Sequence, residues 1–240
     1  MTKCLNDLMA QFFSMQITEI FRSIQGESTF AGLPCVFVRL TGCNLRCAWC
    51  DTEYSFTGGR TMTLDQVEAE VVRLGPAPLV ELTGGEPLLQ EREVVPLMQR
   101  LLAAGRTVLL ETSGERSLAS VPAGVVKVVD VKCPGSGEGG SFRPENLAAL
   151  GLGDEVKFVL ADRADYEFAR AFAANYRLVE RVRAVIFSPA FRKDAAGARD
   201  ASHCLLDPRQ LAEWMLADGL SVRLGLQIHK FIWDPARQGV

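Results

Sequence analysis

The chain has 240 residues, of which 48% are hydrophobic and 23% charged, and its formal net charge is −3. This composition is that of a globular protein with a substantial core, and it excludes a disordered chain and a collagen-like fibre. No apolar stretch approaches the roughly 20 residues of a transmembrane helix, and the charge argues against a chain held on nucleic acid by bulk electrostatics.

Short β-rich runs alternate along the chain with segments of helical periodicity. The predicted strands are Met15–Phe21, Cys35–Leu40, Leu79–Leu82, Thr107–Leu110, Val125–Val131, Val156–Leu160, Ala184–Phe187 and Val222–Ile228. The predicted helices are Thr63–Leu74, Val94–Ala104, Ala164–Tyr176 and Pro208–Ala217, the first of which begins with a capping-box pattern. This alternation predicts parallel strands joined by helical crossovers, in an α/β barrel, complete or incomplete, or in an open doubly wound sheet. In a barrel, the chemistry lies at the C-terminal ends of the strands.

The chain divides into a short N-terminal extension over residues 1–14 and a single domain over residues 15–240. One glycine-rich stretch, Cys133–Arg143, breaks the alternation, but Val156–Leu160 resumes it. We therefore expect a surface loop within one domain, either a lid over the site or a tolerated insertion, rather than a linker.

Three of the seven cysteines, Cys43, Cys47 and Cys50, crowd into one loop after the second predicted strand. An odd number of cysteines, in a chain whose N-terminus lacks the apolar centre of a secretory signal, argues against a disulfide framework and favours a cytoplasmic protein. Three soft sulfur ligands suit an iron–sulfur cluster or zinc. A structural zinc site needs a fourth protein ligand, and the scattered remaining cysteines and histidines form no second zinc motif, so a zinc-stapled binding module is kept only as an alternative.

The loop over residues 41–52 reads Thr-Gly-Cys-Asn-Leu-Arg-Cys-Ala-Trp-Cys-Asp-Thr. Its Cys-x-x-x-Cys-x-x-Cys spacing resembles that of the radical S-adenosylmethionine superfamily. The resemblance implies that the three cysteines hold a 4Fe-4S cluster, that its open iron binds S-adenosylmethionine, and that cleavage of this cofactor yields a 5′-deoxyadenosyl radical. Trp49 matches the aromatic residue that packs near the adenine in that superfamily.

Polar residues also follow three later predicted strands. Residues 83–87 read Thr-Gly-Gly-Glu-Pro, and two glycines at a strand end let the backbone approach a ligand closely, although a plain turn has the same composition. Beside the cysteine loop, this segment resembles the Gly-Gly-Glu motif that receives the amino group of S-adenosylmethionine. Residues 111–114 and 130–132 lie at the ends of the next two predicted strands, and both segments are candidates to face the cofactor. The alternative for Lys132 is a solvent-exposed residue at a strand end.

Two further segments indicate a substrate site. Residues 23–27 read Ser-Ile-Gln-Gly-Glu, a polar kink that suits hydrogen bonding better than packing. Arg39 lies in an otherwise apolar strand, where a charge needs a partner, either a ligand carboxylate or an internal carboxylate such as Glu27. Gln227 and His229 fall on one face at the end of the last predicted strand, and we expect them at the edge of the same site.

Together these motifs resemble the 7-carboxy-7-deazaguanine synthase family, from about Glu19 to Trp233. The resemblance implies a modified, incomplete (β/α)6-type barrel, usually as a homodimer, which receives electrons from a donor such as a flavodoxin or a ferredoxin. It implies conversion of 6-carboxy-5,6,7,8-tetrahydropterin to 7-carboxy-7-deazaguanine with loss of ammonia, in queuosine and 7-deazapurine biosynthesis. S-adenosylmethionine would be re-formed at each turnover, and Mg²⁺ would assist the ring contraction.

Carried over residue by residue, the resemblance assigns three groups of residues and no protein acid or base. The cluster ligands are Cys43, Cys47 and Cys50, and Thr52 offers its hydroxyl to Mg²⁺, a cation that prefers oxygen ligands. The residues along S-adenosylmethionine are Trp49, Cys50, Asp51, Gly85, Asp130, Val131, Lys132, Ser188, Pro189, Ala190 and Phe191. The residues around the pterin are Ile24, Gln25, Gly26, Glu27, Arg39, Thr83 and His229, with Arg39 on the substrate carboxylate.

A second alternative is an activating enzyme that makes a glycyl radical on a partner protein, because such enzymes share the cysteine spacing. The Gln-Gly-Glu segment, Arg39 and Thr52 argue against it. The chain also departs from the family pattern at its end, where some members close the site with their C-terminal carboxylate. Here residues 232–240 continue beyond that point, and the role of Val240 is open.

Overall fold

The computed structural model describes residues 14–193, 197 and 200–240. One sheet of nine strands runs through this part of the chain, in the order β3-β1-β2-β4-β5-β6-β7-β8-β9. The strands are β1 (Ser14–Ile24), β2 (Pro34–Leu40), β3 (Arg60–Thr63), β4 (Leu79–Gly84), β5 (Thr107–Thr112), β6 (Val126–Asp130), β7 (Glu155–Leu160), β8 (Ala184–Pro189) and β9 (Arg223–Leu224). The extension predicted over residues 1–14 lies outside the described residues except for Ser14, which begins β1.

The strand directions follow from the connections. β1 is antiparallel to both β2 and β3, since the β1–β2 connection contains no helix to serve as a parallel crossover. Across the sheet from β2 through β4 to β9, each neighbouring pair of strands is parallel. In the described part of the chain the edge strands β3 and β9 do not pair with each other, so the barrel is open. The predicted incomplete barrel is confirmed, and the doubly wound alternative is excluded.

The helices lie in the predicted segments, with two additional single turns. They are α1 (Leu64–Arg73), α2 (Glu91–Ala103), α3 (Arg163–Asn175), α4 (Leu178–Arg181), α5 (Pro208–Ala217) and α6 (His229–Ile232). The predicted capping box is present at α1, where the Gln66 backbone N–H donates to the Thr63 hydroxyl and the Thr63 N–H donates to the Gln66 side chain. Among the described residues, none of these helices is both long and apolar enough to cross a bilayer.

The inner face of the barrel changes character along the strands. Near the N-terminal ends of the parallel strands lies a small apolar cluster of Cys35, Phe37, Leu79, Leu109 and Val128. Two residues further along the same faces, the side chains are polar or charged: Arg39, Glu81, Glu111, Asp130 and, on β7, Lys157. Because side chains alternate between the faces of a strand, this spacing of two puts both layers inside the barrel. The apolar layer forms a floor, and the charged layer above it faces the C-terminal strand ends.

The prediction of a long last strand is wrong. Only Arg223–Leu224 pair with β8, although the sequence predicts a strand over Val222–Ile228. Gly225 packs so closely that a Cβ there would lie 2.5 Å from the Ile186 side chain. Beyond it the backbone turns inward, and the Ile228 N–H donates to the carbonyl of Gly26 at 2.9 Å instead of joining the sheet. His229 therefore begins helix α6, and the expected shared strand face of Gln227 and His229 does not exist.

Candidate active site

A single cavity lies above the apolar floor and gathers most of the predicted site residues. Of the predicted residues, those that line it are Ile24, Gln25, Gly26, Glu27, Arg39, Cys43, Cys47, Trp49, Cys50, Asp51, Thr52, Thr83, Gly85, Asp130, Lys132, Phe191 and His229. Val131, Ser188, Pro189 and Ala190 do not line it and are buried in the protein instead. The Ser188 hydroxyl donates to the Gly225 carbonyl at 2.9 Å, so it serves the β8–β9 contact.

The three crowded cysteines are free thiols on one wall of this cavity. The Cys50 N–H donates to the Cys47 carbonyl at 3.2 Å, and the Leu45 N–H donates to the Cys43 sulfur at 3.4 Å, so the loop is internally bonded. Partial burial raises the pKa of Cys43, and it raises the pKa of Cys47 to about 11. Without a cation the thiols of Cys43 and Cys47 are therefore protonated, and binding a metal cluster to them would release protons.

The glycine-rich stretch Cys133–Arg143 supports the cysteine loop from below. The Ala48 N–H donates to the Ser136 carbonyl at 2.8 Å, and the Arg46 N–H donates to the Glu138 carboxylate. The stretch is itself anchored by buried Asp165, which accepts the Gly135 N–H at 2.8 Å. Of the two alternatives drawn from the sequence, a lid and a tolerated insertion, neither describes these contacts.

The Gly84–Gly85 pair allows the β4 end to touch the cysteine loop. A Cβ on Gly85 would lie 2.1 Å from the Gly42 carbonyl oxygen and 2.7 Å from the Cys43 Cβ, so no larger residue fits there without displacing the loop. Gly84 has a φ of 145°, in the region that favours glycine. The pair thus exposes backbone next to the thiols.

Glu86, the acidic residue of the Gly-Gly-Glu segment, has a carboxylate that accepts four hydrogen bonds from protein groups. It is buried and accepts hydrogen bonds from the Thr112 hydroxyl at 2.8 Å, from the Ser113 N–H at 2.9 Å and from the Ser113 hydroxyl at 2.8 Å. The Leu88 N–H donates a fourth, at 3.1 Å. The carboxylate therefore joins the ends of β4 and β5 and leaves the glycine backbone to face the cavity.

Arg39 has an internal partner and still lines the cavity. Its Nε lies 2.8 Å from Glu19 Oε1, and the Tyr54 hydroxyl donates to the same oxygen at 2.8 Å. The expected alternative of an internal carboxylate is thus present, but the partner is Glu19 rather than Glu27, and it faces Arg39 across β1 and β2. Tyr54 and Glu19 raise the pKa of Arg39 against the opposing effect of burial, so the guanidinium is permanently charged.

Part of the cavity lining is formed by Asp51 and the inward-turning C-terminal segment. Lys230 Nζ lies 2.6 Å from Asp51 Oδ2. Burial opposes ionisation, but Lys230 and His229 outweigh it and hold the pKa of Asp51 well below its usual range. Burial lowers the pKa of His229, which leaves a neutral ring at pH 7. That ring lies directly against Gly26, where a Cβ would come within 1.9 Å of His229 Nδ1.

On β7, the last strand of the charged layer, Lys157 is surrounded by carboxylates. Its Nζ lies 2.7 Å from Glu27 Oε2, 2.6 Å from Glu111 Oε1 and 3.7 Å from Asp130 Oδ2. These charges outweigh burial and raise the pKa of Lys157 well above its usual range. In return, Lys157 lowers the pKa of Glu111 to about 2 against the opposing effect of burial.

Glu81 has the opposite electrostatic environment to its neighbour Glu111. Burial, reinforced by the charges of Glu111 and Glu27, raises its pKa well above the usual carboxyl range. The Gln25 side-chain amide donates to Glu81 Oε2, and Gln25 in turn accepts the Glu27 N–H at 2.8 Å. Glu81 is therefore a neutral acid within the otherwise charged layer.

Sequence reasoning missed several lining residues. Those outside the predicted set include Tyr54, Glu81, Lys157, Lys230 and residues 235–239 of the C-terminal segment, whereas Glu111 and Gln227 line the cavity as expected. For Glu81 and Lys157 the signal was present, since each is a single charge within an otherwise apolar predicted strand, Leu79–Leu82 and Val156–Leu160, as Arg39 is in Cys35–Leu40. For the C-terminal segment no local pattern indicates a return to the cavity.

Comparisons with known proteins agree with this geometry. Residues 37–127 match the model of the radical SAM superfamily. A curated 7-carboxy-7-deazaguanine synthase of Koribacter versatilis is 69% identical over 226 residues, which cover 94% of this chain and 100% of the relative. The chain belongs to the 7-carboxy-7-deazaguanine synthase family. It is accordingly a radical S-adenosylmethionine enzyme, and neither a glycyl-radical activating enzyme nor a zinc-stapled module is favoured.

Further relatives place the fold within the same family. The 7-carboxy-7-deazaguanine synthase of Chlorobaculum tepidum is 42% identical, over 94% of this chain and 97% of the relative. The crystal structure of QueE from Escherichia coli superposes with a TM-score of 0.71 at 22% identity, over 92% of this chain and 97% of that one. The open barrel is thus the fold of this synthase family and of its structural neighbour.

The site has the chemical groups that a 4Fe-4S cluster and S-adenosylmethionine, implied by the radical SAM family, require. Three thiols from one loop face a cavity, and soft sulfur is the ligand type of iron–sulfur clusters. Asp130 Oδ1 is a buried acceptor without a hydrogen-bond partner in the described residues, beside Lys132, whose Nζ bonds the other oxygen at 2.8 Å. A cofactor hydroxyl or ammonium group would satisfy that acceptor.

Proposed function

We propose that this chain converts 6-carboxy-5,6,7,8-tetrahydropterin to 7-carboxy-7-deazaguanine with loss of ammonia. The observation that carries the proposal is the single cavity, in which three free thiols share a wall with a charged layer above an apolar floor. Such an arrangement suits a flat, polar, carboxylate-bearing substrate held beside a cluster-bound cofactor. The supporting relative is a 7-carboxy-7-deazaguanine synthase at 69% identity.

In this proposal Cys43, Cys47 and Cys50 hold the 4Fe-4S cluster. Bound there, the cluster together with S-adenosylmethionine would supply the radical chemistry that removes a hydrogen atom from the substrate. The residues proposed to bind S-adenosylmethionine from the cavity wall are Trp49, Cys50, Asp51, Gly85, Asp130, Lys132 and Phe191. Val131, Ser188, Pro189 and Ala190 are proposed to shape that wall from behind, because they are buried next to it.

The pterin is proposed to lie over the charged layer. The residues that would contact it are Ile24, Gln25, Gly26, Glu27, Arg39, Thr83 and His229. Arg39 would bind the substrate carboxylate through its Nη groups, because its Nε is already occupied by Glu19. Neutral His229 and the backbone of Gly26 would pack against the ring from the C-terminal side.

Mg²⁺ is proposed to bind at Thr52, whose hydroxyl faces the cavity two residues after Cys50. Mg²⁺ keeps several non-protein ligands, so one hydroxyl together with substrate oxygens and water forms a sufficient site. The ion would neutralise charge on the substrate carboxylate during ring contraction.

We further propose a cytoplasmic homodimer that is reduced by a flavodoxin or a ferredoxin. The free thiols among the described cysteines suit a reducing compartment. A single domain over residues 15–240 is proposed because one sheet connects the described residues from β1 to β9.

The test is direct. The anaerobically reconstituted enzyme is reduced and incubated with 6-carboxy-5,6,7,8-tetrahydropterin, S-adenosylmethionine and Mg²⁺, and the products are identified by mass spectrometry. We expect 7-carboxy-7-deazaguanine with substoichiometric consumption of S-adenosylmethionine, and no product from Cys50→Ala. Omission of Mg²⁺ should slow turnover. An intact cluster that yields no deazaguanine product would refute the proposal.

A further inference from the structure

Lys157 is a buried cation that no motif singles out. It lies in the middle of β7, and its side chain is 3% exposed. The cavity that it lines also contains the three thiols, but Lys157 lies at the far end of the charged layer. A buried ammonium group is costly unless carboxylates compensate it, so its surroundings must explain why it is there.

Three chain segments converge on this ammonium group. Glu27 comes from the connection after β1, Glu111 from the end of β5 and Asp130 from the end of β6, at 2.7 Å, 2.6 Å and 3.7 Å. The first two distances are those of charge-assisted hydrogen bonds. Lys157 is therefore the common partner of carboxylates that are far apart in sequence.

Each of these carboxylates has a second bond that points it toward the cavity. Glu27 Oε1 accepts the Gln227 side-chain amide at 2.8 Å, and Glu111 Oε2 accepts the Thr83 hydroxyl at 3.0 Å. Asp130 accepts Lys132 Nζ. Glu27 and Thr83 belong to the proposed pterin site, whereas Asp130 and Lys132 belong to the proposed cofactor site.

We propose that Lys157 is a positioning residue that fixes the carboxylates of Glu27 and Glu111 at the substrate end of the cavity and ties them to Asp130 at the cofactor end. This inference rests on the proposed function, because the pterin is the molecule that the oriented carboxylates would bind. Lys157 acts through these groups, since two of its ammonium hydrogens are donated to Glu27 and Glu111.

The positive charge of Lys157 also holds Glu111 ionised, because it lowers the pKa of that carboxyl against the opposing effect of burial. Without Lys157, burial and the neighbouring carboxylates would favour protonation of Glu111. The other charged or titratable groups around this cluster are Glu81, Arg39, Asp51, Lys132, His229 and Lys230. None of these lies within salt-bridge distance of both Glu27 and Glu111, so none replaces Lys157.

The experiment compares Lys157→Met with Lys127→Met in the reconstituted holoenzyme. Lys127 is another buried strand lysine, which pairs with Asp154 at 3.1 Å and does not line the cavity. Pterin turnover is measured against pH at saturating S-adenosylmethionine. For Lys157→Met we expect kcat/KM to fall about 100-fold, mainly because KM rises. We also expect the acidic limb of the pH–rate profile to shift to higher pH by about one unit or more.

Lys127→Met should lower thermal stability but leave the acidic limb where it is. Lys157→Gln keeps hydrogen-bond donors without charge, and it gives the same readout if Lys157→Met does not fold. Lys157→Arg restores the charge and should return the limb toward that of the wild type. An unmoved limb and unchanged KM in Lys157→Met or Lys157→Gln would overturn the inference. Wild-type enzyme that makes no deazaguanine would instead refute the proposed function.

Discussion

Glu19 and Arg39 face each other across the antiparallel strands β1 and β2, and the Arg39 Nε donates to Glu19 Oε1 at 2.8 Å. Tyr54 donates to the same carboxylate oxygen, so Glu19 is held from two sides. The pair turns the guanidinium end of Arg39 into the cavity, where its remaining N–H groups form a fork suited to a planar carboxylate. The internal ion pair and the ligand role are therefore compatible.

Arg39→Met should impair pterin turnover far more than the uncoupled cleavage of S-adenosylmethionine. Loss of a charge-assisted contact to the substrate carboxylate costs about 2–3 kcal/mol, which is roughly 30- to 150-fold in kcat/KM. Uncoupled cleavage should change by less than about threefold, because the cysteine wall is untouched. Both rates are measured on one reconstituted preparation of each variant.

Glu19→Gln is the matched control for Arg39. It retains the Arg39 charge and weakens only the positioning bond, so the expected loss of kcat/KM is about tenfold or less. If Arg39→Met reduces cleavage and turnover equally, its role is in the internal pair with Glu19 rather than on the substrate.

The fold was largely predictable because its helices and parallel strands have regular apolar periods. Thr63 and Gln66 formed the capping box that their spacing indicates. The errors fall where tertiary contacts override local pattern. Residues 225–228 are apolar enough for a strand, but the close approach of Gly225 to β8 and the bond from Ile228 to Gly26 take them out of the sheet.

Gly26→Ala tests the contact that this inward turn creates. The new Cβ would lie 1.9 Å from His229 Nδ1, so the imidazole or the Gly26 backbone must move. Overpacking of this kind costs about 1–3 kcal/mol of folding stability, and we expect a loss of pterin turnover of roughly 100-fold. Thermal unfolding and steady-state kinetics measure the two effects separately.

Gly151→Ala provides the comparison for Gly26→Ala, since nothing lies within 4 Å of a Cβ at that position. It should leave both stability and turnover near the wild-type values. Equal behaviour of the two alanine variants would mean that His229 has room to move and that Gly26 is not required for the site.

Asp165→Leu should weaken the cysteine loop from a distance. Asp165 is fully buried and accepts the N–H groups of Gly135 at 2.8 Å and Ala161 at 3.0 Å. Taking this acceptor from the N–H groups of exposed Gly135 and half-buried Ala161 costs about 1–2 kcal/mol, and it frees the segment that bonds Ala48 through Ser136. We expect a lower Tm and less iron per chain after reconstitution.

Asp207→Ala separates this effect from general instability. Asp207 caps α5 by accepting the Arg209 N–H at 2.8 Å, and its loss costs about 1 kcal/mol far from the thiols. It should lower the Tm slightly and leave the iron content unchanged. Full iron loading in Asp165→Leu would show that the Cys133–Arg143 stretch does not support the cysteine loop.

The candidate site was predictable where a motif marks it and missed where only three-dimensional pairing does. Cys43, Cys47 and Cys50 are recognisable from spacing alone, whereas Lys157 acquires its meaning from Glu27 and Glu111, which lie 130 and 46 residues away. Parallel strands bring Glu111 and Lys157 to one level of the barrel, and the connection after β1 adds Glu27, whereas the sequence shows only charges far apart along the chain.

Glu81→Gln should reveal the neutral acid in the charged layer through its effect on stability. Burial raises the pKa of Glu81 in the folded protein, so the native state retains a proton that the unfolded chain releases above the usual carboxyl range. Stability supplied by this group is therefore lost as the pH rises through that window. Glutamine mimics the neutral acid and does not titrate, so its stability is not lost in this way. The free energy of unfolding of the variant should therefore increase relative to that of the wild type by about 1.4 kcal/mol for each unit of pH above the usual carboxyl range.

Chemical denaturation of both proteins between about pH 5 and pH 8 measures this difference in the free energy of unfolding. The range runs from just above the usual carboxyl pKa to just above neutrality. Glu145→Gln, at a side chain that is 78% exposed, should give a curve parallel to that of the wild type. Because the Gln25 amide can still donate to the new amide oxygen, Glu81→Gln should keep its fold at every pH. If the free energy of unfolding of Glu81→Gln also runs parallel to wild type, Glu81 is ionised in the native state and the layer holds one more negative charge than we infer.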